Sequence, residues 1–258
     1  MKVERFFRVA TGDGSSSSWA RQDGESLRLL DRAPWATPSE LDEVLPLEGA
    51  RLLAPVRPSK IIGIGRNYAA HAAERGQAVP KEPLVFLKPP SALIGPGDEI
   101  RIPTWAGRVD HEAELGIVIG REASRLPDPD TALEHVFGAT CVNDVTAREL
   151  QKKDVQFTRA KGFDTFCPVG PCIATGLDLG RLRVLGRVGA EQRQQGSTEQ
   201  LIFDVANLIW SVSRVMTLLP GDIISTGTPS GVGPLRPGDV AEVEVEGVGT
   251  LTNPVVAG

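Results

Sequence analysis

Three carboxylates stand beside apolar runs of this sequence, and their types and spacing could hold a metal ion. Glu112 and Glu114 lead into residues 115–119, where large and small apolar side chains alternate as they do in a strand. Because successive side chains of a strand point to opposite faces, both glutamates should project from one face. Asp144 closely follows a second apolar run, residues 137–142. Three carboxylates at strand ends suit a hard divalent ion with oxygen ligands, Mg²⁺ or Mn²⁺.

The glutamate pair also has a simpler interpretation, since glutamates at alternate positions of a strand often mark a solvated edge. Two like charges on a buried face repel each other, and burying either one alone is costly. A wet face, a shared proton or a bound cation would each make the pair tolerable. From the spacing alone, these alternatives stay open.

A second candidate pair is His71 and Glu74, in the alanine-rich stretch Ala69 to Arg75 that predicts a short helix. Positions three apart share a helix face, so the carboxylate could orient the imidazole, favour its protonated form and make it part of a general base. Asn67 is predicted to cap this helix and Gly76 to end it. Taken alone, the pair could equally be incidental on an exposed helix.

Two loops and one helix complete the local predictions. Residues 159–171 are bracketed by glycine and proline and predict a loop that contains Lys161. This lysine is either a solvated charge or, near a metal, a contact for an anionic substrate. The glycine-rich stretch 226–234 lacks the lysine of a phosphate-binding loop but could line a carboxylate pocket. Asp204 is predicted to cap a core helix that continues to Leu219.

Composition limits the class of protein. The chain has 258 residues, 41% hydrophobic and 24% charged, with a net charge of −5, which is ordinary for a soluble globular protein and gives no reason to expect nucleic acid or membrane as a partner. The charged N-terminus argues against a signal peptide, and no apolar run is long enough to span a bilayer. Three cysteines without metal-site spacing suggest reduced thiols, so we expect a cytoplasmic protein.

The order of elements predicts two domains. Residues 1–30 read as short strands, and prolines crowd residues 31–58, where Ser39 to Leu45 is one helical candidate. We therefore expect a small N-terminal domain over residues 1–57 and a main domain over 58–258. Glycine, proline and β-branched residues make the main domain turn-rich and mostly β.

Together, five motifs of the main domain resemble the fumarylacetoacetate hydrolase family. They follow the order of that family and are far more specific together than singly. The motifs are Gly65-Arg66-Asn67-Tyr68 with His71 and Glu74, residues 110–115 (DHEAEL), residues 143–148 (NDVTAR), residues 161–165 (KGFDT) and residues 226–233 (TGTPSGVG). Residues 1–57 match only loosely.

The resemblance implies a β-rich α+β fold whose mixed sheets form a roll or half-closed barrel, in a protein that is usually a homodimer. It implies Mg²⁺ or Mn²⁺ held by Glu112, Glu114 and Asp144. It also implies a lid helix with a catalytic His71–Glu74 pair. Lys161 would be both catalytic and substrate-binding, and the other substrate-binding residues would be Arg66, Tyr68, Thr226, Gly227 and Thr228.

The activity implied is metal-dependent chemistry on a 2-oxo or diketo acid of small size. We expect hydrolysis of a C–C bond in an acylpyruvate: His71, oriented by Glu74, would activate water, while the metal and Lys161 stabilise the enolate that leaves. The alternatives are decarboxylation of an oxaloacetate-like acid, and isomerisation of a 2-hydroxyhepta-2,4-diene-1,7-dioate-like acid. A more remote one is a protein that binds oxalate-like ligands with metal and catalyses nothing.

Overall fold

The computed structural model describes residues 2–12, 14–74, 76 and 78–258, and in this part of the chain β-strands predominate. The strands are β1 Glu4–Thr11, β2 Ser16–Asp23, β3 Ser26–Leu30, β4 Glu40–Pro46, β5 Leu52–Leu53, β6 Ile61–Gly65, β7 Leu84–Lys88, β8 Leu93–Ile94, β9 Ile100–Ile102, β10 Val109–His111, β11 Ala113–Ile119, β12 Val136–Asn143, β13 Thr146–Ala147, β14 Cys167–Thr175, β15 Arg183–Val188, β16 Glu191–Ser197, β17 Ile223–Ser225, β18 Gly233–Pro234, β19 Val240–Val245 and β20 Gly249–Ala257. The α-helices are α1 Ala69–Glu74, α2 Arg148–Lys153, α3 Thr158–Lys161 and α4 Val205–Ser213. None of the helices in these residues is long and apolar enough to cross a membrane.

Three sheets organise these strands. The largest follows the order β4-β3-β2-β1-β14-β12-β11-β17-β6-β7, with β5 paired to β1 and β8 to β14. The second follows β16-β15-β19-β20-β9, and the third β13-β10-β18. Most pairs are antiparallel, but β6 and β17, β8 and β14, and β9 and β20 are parallel. The predicted β-rich fold with mixed sheets is confirmed.

The N-terminal strands continue the largest sheet, because β1 pairs antiparallel with β14 from Glu4 opposite Thr175 to Phe6 opposite Ile173. The domain boundary near residue 57 stays a prediction. The helix predicted over Ser39 to Leu45 is wrong, since these residues lie mostly in β4, which pairs with β3 at the sheet edge. Backbone pairing with a neighbouring strand here outweighs the helix propensity of glutamate and leucine. Arg75, at the end of the predicted helix, lies outside the described residues, as does Asp13 between the first predicted strands.

Strand β11 is buried on both faces. Leu115, Ile117 and Ile119 face the main core, where they join residues of the second sheet and of α4. Val118, on the opposite face, belongs to a separate apolar cluster. The side chain of Glu114 therefore projects from a buried strand, on the face away from the main core. A solvated sheet edge does not explain a glutamate at this position.

Helix α4 begins as predicted and ends early. The carboxylate of Asp204 accepts a hydrogen bond from the backbone N–H of Asn207 at 2.8 Å, which caps the helix. The helix ends at Ser213 rather than near Leu219. The following residues turn back instead, because Leu218 forms backbone hydrogen bonds with Ala123.

Candidate active site and metal centre

The pairing of β11 with β12 brings the three carboxylates together. Ala113 stands opposite Asn143, and just beyond them the backbone N–H of Asp144 donates to the carbonyl of Glu112 at 2.9 Å. Glu112, Glu114 and Asp144 are all buried, and each offers an oxygen within 4.8 Å of the others. Their predicted role as metal ligands stays a prediction, but a buried triad of this kind could bind a metal ion.

Among the described residues, three buried cations lie against this triad. The Nζ of Lys161 is 2.8 Å from Oε2 of Glu112 and 2.5 Å from Oδ2 of Asp144. Lys88 donates to Oδ1 of Asp144 at 2.6 Å, and Nη2 of Arg148 lies 2.6 Å from Oε1 of Glu112. Burial costs an ion much less when an opposite charge is in contact, so these pairs explain how two of the carboxylates can be buried.

Glu114 is held by hydrogen bonds instead. Its Oε2 accepts from the hydroxyl of Ser225 at 2.5 Å and from the backbone N–H of Gly227 at 2.8 Å. Burial, and then the negative charges of Asp144 and Glu112, raise the pKa of Glu114 to about 8. A divalent cation would favour the ionised form of this glutamate, since opposite charge stabilises a carboxylate.

The residues present fit a hard divalent ion. The donors converging here are carboxylate oxygens, which Mg²⁺ and Mn²⁺ prefer over nitrogen or sulfur. The ammonium of Lys161 already lies between one oxygen of Glu112 and one of Asp144, so this group of oxygens accommodates a cation. Although burial opposes it, the charges of Arg148 and Lys161 hold the pKa of Glu112 well below its usual range. The ligand set is therefore partly ionised before any metal enters.

A cavity of about 400 Å³ opens onto the triad. It is also lined by His71, Lys161, Arg66 and Thr228, all predicted site residues. The rest of its wall includes Gln151, Lys152 and Asp154, and the apolar residues Ile64, Phe86, Val155 and Phe157. In the described part of the chain, the cavity lining does not include the other predicted site residues, Glu74, Tyr68, Thr226 and Gly227. Each of them lies within a few positions of a lining residue in the sequence.

His71 and Glu74 are paired as predicted. The Nδ1 of buried His71 lies 3.3 Å from Oε2 of Glu74. The carboxylate of Glu74 also accepts from the backbone N–H of Gly231, at 3.1 and 3.2 Å, which ties α1 to the glycine-rich loop. Burial lowers the pKa of His71 below its ordinary value, although the carboxylates of Glu112 and Glu74 act in the opposite direction. The imidazole is therefore neutral near neutral pH and can accept a proton.

Asn67 is not the helix cap that the sequence predicted. Its side-chain amide donates to the carbonyls of Phe203 at 2.9 Å and Thr226 at 2.8 Å, and its Oδ1 accepts from the backbone N–H of Phe203. These buried partners use the amide, so it joins the start of α1 to two distant segments. The hydroxyls of Thr226 and Thr228 donate to backbone carbonyls of β11, at 3.0 and 2.9 Å. Their predicted contact with substrate stays a prediction.

Tyr68 lies below the surface beside the triad. It is 2% exposed, and its hydroxyl has no hydrogen-bond partner among the described residues. Burial, and then the charge of Glu114, raise the pKa of the phenol. The hydroxyl therefore stays protonated and could donate a hydrogen bond.

Lys161 lies on a helix rather than in the predicted loop. Helix α3 ends at Lys161, and β14 begins at Cys167, so regular structure occupies most of residues 159–171. The backbone N–H of Lys161 donates to the carbonyl of Phe157 at 3.0 Å, which closes the single helical turn. The glycines and prolines in this stretch predict a loop, but Pro168 and Pro171 are accommodated within β14.

Sequence reasoning assigned no site role to Lys88, Arg148 or Ser225. The sequence does indicate a buried ion pair for Lys88, because this residue ends the apolar strand β7 and a lysine in a buried strand needs a partner of opposite charge. Arg148 belongs to the family motif of residues 143–148, but its contact with Glu112, like that of Ser225 with Glu114, depends on how distant strands pair.

A model of the fumarylacetoacetate (FAA) hydrolase C-terminal domain matches residues 60–256. The chain belongs to the fumarylacetoacetate hydrolase family. A second model, Rv2993c-like N-terminal, matches residues 1–55 of this family member.

Similar proteins of the fumarylacetoacetate hydrolase family include tautomerases, isomerases and hydrolases. Oxaloacetate tautomerase YisK of Bacillus subtilis is 43% identical over 224 residues, covering 81% of this chain and 74% of YisK. The structure of 2-hydroxyhepta-2,4-diene-1,7-dioate isomerase from Mycobacterium marinum is 43% identical with a TM-score of 0.90 and covers 98% of both chains. Maleylpyruvate hydrolase from Sphingobium sp. SYK-6, solved with manganese(II) and pyruvate, is 32% identical with a TM-score of 0.80 and covers 98% of this chain and 99% of the hydrolase.

Proposed function

We propose that this enzyme catalyses a divalent-metal-dependent proton transfer at C3 of a 2-oxo carboxylate, as a keto–enol tautomerase or a double-bond isomerase. The observation that carries the proposal is His71, a buried imidazole with a lowered pKa that lines the same cavity as the carboxylate triad. The similarity to YisK and to the M. marinum isomerase supports this reaction class over the others, because both are more similar to this chain than the Sphingobium hydrolase is.

The proposal assigns each residue a task. Nδ1 of His71 faces Glu74, so an Nδ1–H held by that carboxylate leaves the lone pair on Nε2. Nε2 can then take the C3 proton and return it after the double bond has moved. Mg²⁺ or Mn²⁺, when held by Glu112, Glu114 and Asp144, would supply positive charge that stabilises the developing enolate. We assign the carboxylate of the substrate to the ammonium of Lys161, which lines the same cavity and donates to Glu112, Asp144 and Thr146.

Hydrolysis of an acylpyruvate is the second candidate. The same lone pair on Nε2 of His71 can deprotonate a water, whose hydroxide adds to the distal carbonyl. The C3–C4 bond then breaks, the acid departs, and protonation of C3 gives pyruvate. The pairing of buried His71 with Glu74 and the similarity to maleylpyruvate hydrolase favour this reaction. A homodimer in the cytoplasm is part of the same proposal.

One panel of substrates separates these functions. Oxaloacetate and acetylpyruvate are incubated in D₂O with Mg²⁺, with Mn²⁺ and with chelator, and NMR follows deuterium at C3 and the products, against metal without protein. We expect faster exchange at C3 with metal and protein, and none above the background in His71→Asn. Acetate and pyruvate would indicate the hydrolase instead, and release of CO₂ from oxaloacetate a decarboxylase. Binding of oxalate with metal, but no turnover of either acid, would indicate a protein that binds such ligands and catalyses nothing.

A further inference from the structure

Ala113 stands between the two glutamates of the triad, and a ring of hydrogen bonds closes on its backbone. Its N–H donates to Oε1 of Gln194 at 2.9 Å. Nε2 of Gln194 donates to the hydroxyl of Thr228 at 2.7 Å, and that hydroxyl donates to the carbonyl of Ala113 at 2.9 Å. The backbone that links Glu112 to Glu114 is therefore held by two side chains from distant parts of the chain.

The partners of Gln194 define the orientation of its amide. An amide oxygen only accepts and an amide nitrogen only donates, so the N–H of Ala113 requires the oxygen. The nitrogen also donates to the carbonyl of Pro229 at 2.8 Å. Gln194 is fully buried, so removing its amide would leave the groups that it binds without partners in a buried place.

Gln194 reaches this site from a different sheet. It lies in β16 of the second sheet, whereas Ala113 begins β11 of the largest sheet. Thr228 and Pro229 belong to the glycine-rich stretch 226–234, which follows β17. A single amide therefore joins the second sheet, the strand between the two glutamates and the glycine-rich stretch.

The glycine-rich stretch contacts both halves of the candidate site. The backbone N–H of Gly227 donates to Oε2 of Glu114 at 2.8 Å, and that of Gly231 donates to the carboxylate of Glu74 at 3.1 and 3.2 Å. A Cβ at Gly231 would overlap the carbonyl oxygen of Arg193, so this part of the stretch rests directly on β16. The seat of the stretch on β16 thus affects one carboxylate of the triad and the partner of the candidate base.

We propose that Gln194 is a positioning residue, which holds Thr228 and the backbone between Glu112 and Glu114 in the geometry that binds the metal ion. The inference rests on the proposed function, which places a divalent ion at the triad. Gln194 does not line the cavity in the described part of the chain, so it acts through Ala113 and Thr228 rather than on the substrate. Groups that hold metal ligands in place contribute about 10- to 100-fold to metal affinity or activity.

The test removes the ring from each side. Gln194→Met deletes the amide at similar volume, and Thr228→Val deletes the hydroxyl. In each variant we expect the dissociation constant for Mn²⁺, measured by electron paramagnetic resonance, to rise by about 10- to 100-fold. Because both changes open the same ring, the double variant should bind Mn²⁺ about as weakly as the weaker single variant, whereas independent effects would multiply. Thr228→Ser retains a hydroxyl and should keep most of the affinity.

Gln195 provides a matched control. It follows Gln194 on β16 and is exposed, and its Oε1 accepts from the amide of Gln192 at 3.0 Å. Gln195→Met should leave the affinity for Mn²⁺ unchanged. Urea unfolding of each variant separates positioning from stability: a less stable Gln194→Met that binds Mn²⁺ like the wild type would overturn the proposal. If Gln194→Met does not fold, Thr228→Val and Thr228→Ser decide, and equal affinity in these two would overturn it as well.

Metal binding also separates failure of this inference from failure of the proposed function. If the wild type binds Mn²⁺ but turns over no acid, the proposed function fails, and the affinities of the variants still decide on Gln194. If acids are turned over while every variant binds Mn²⁺ equally, only the assignment of Gln194 fails. Losses that multiply in the double variant would likewise contradict a shared ring.

Discussion

The ammonium of Lys88 lies 2.6 Å from Oδ1 of Asp144, and both side chains are essentially without contact with solvent. Lys88 does not line the cavity, whereas Lys161, which binds the other oxygen of Asp144, does. The two lysines therefore have different surroundings. Lys88 is a fixed counter-ion behind the site, whereas Lys161 lies at the cavity wall, where its ammonium donates to Glu112, Asp144 and Thr146.

Lys88→Met should destabilise the protein strongly. Asp144 would keep Lys161 as a partner, but the buried carboxylates would lose one of their cations, and breaking a buried ion pair costs about 3–5 kcal/mol. Denaturant unfolding of the metal-free protein would measure this. The control is Arg101→Met, whose partner Glu99 is exposed, with an expected change below about 1 kcal/mol. A small loss for Lys88→Met, equal to that of the control, would show that Asp144 does not depend on Lys88.

The rate should fall at acid pH with an apparent pKa below 6.5. Burial lowers the pKa of His71 from an ordinary value of 6.5, and only the neutral imidazole can accept a proton. As pH falls through the lowered pKa, kcat/KM should decline, while at higher pH this group has no further effect.

In Glu74→Gln, the decline of kcat/KM at acid pH (the acid limb of the pH profile) should move to still lower pH, because the carboxylate of Glu74 raises the pKa of His71. The maximal rate should drop by about 10- to 100-fold, since the imidazole loses the partner that orients it. The pH profile of kcat/KM at saturating Mg²⁺ measures both effects. An acid limb above 6.5, or one that moves upward in Glu74→Gln, would remove His71 as the base.

Local sequence patterns predicted some residues of this site, but they did not predict contacts between residues that are far apart in the sequence. The alternation of residues 112–119 placed two glutamates on one face without any knowledge of the fold. The partners of Asn67 lie 136 and 159 residues further along, so its apparent role as a helix cap was the only one visible locally. Ser225, 111 residues from Glu114, could not be found for the same reason.

The cysteines should be inert in the folded protein. Cys141, Cys167 and Cys172 are free and buried, and burial raises the pKa of Cys167 and of Cys172 to about 12 each. Because the thiolate is the reactive form, a thiol reagent such as DTNB at about pH 8 should label none of them. All three should react after denaturation. Rapid labelling of any one in the folded protein would contradict the burial of these thiols.

Asp222 should stabilise the fold without affecting catalysis. It is fully buried and stands just before β17, where that strand begins its parallel pairing with β6. Oδ1 accepts from the backbone N–H and hydroxyl of Ser59 and the backbone N–H of Lys60, and Oδ2 accepts from Nζ of Lys60 and the N–H of Leu219. A single carboxylate thus joins the residues just before β6 to the turn after α4.

Asp222→Ala should lower the free energy of unfolding by about 3–5 kcal/mol, since it leaves several donors and one ammonium without their partner. Asp239→Ala is the control, because the carboxylate of that partly exposed aspartate accepts one hydrogen bond within the described residues, from the backbone N–H of Arg236, and its loss should cost about 1 kcal/mol or less. Unfolding in urea measures both variants. At temperatures where both stay folded, kcat/KM should equal that of the wild type, because Asp222 does not line the cavity. A fall in kcat/KM without a fall in stability would mean that Asp222 acts on the site rather than on the fold.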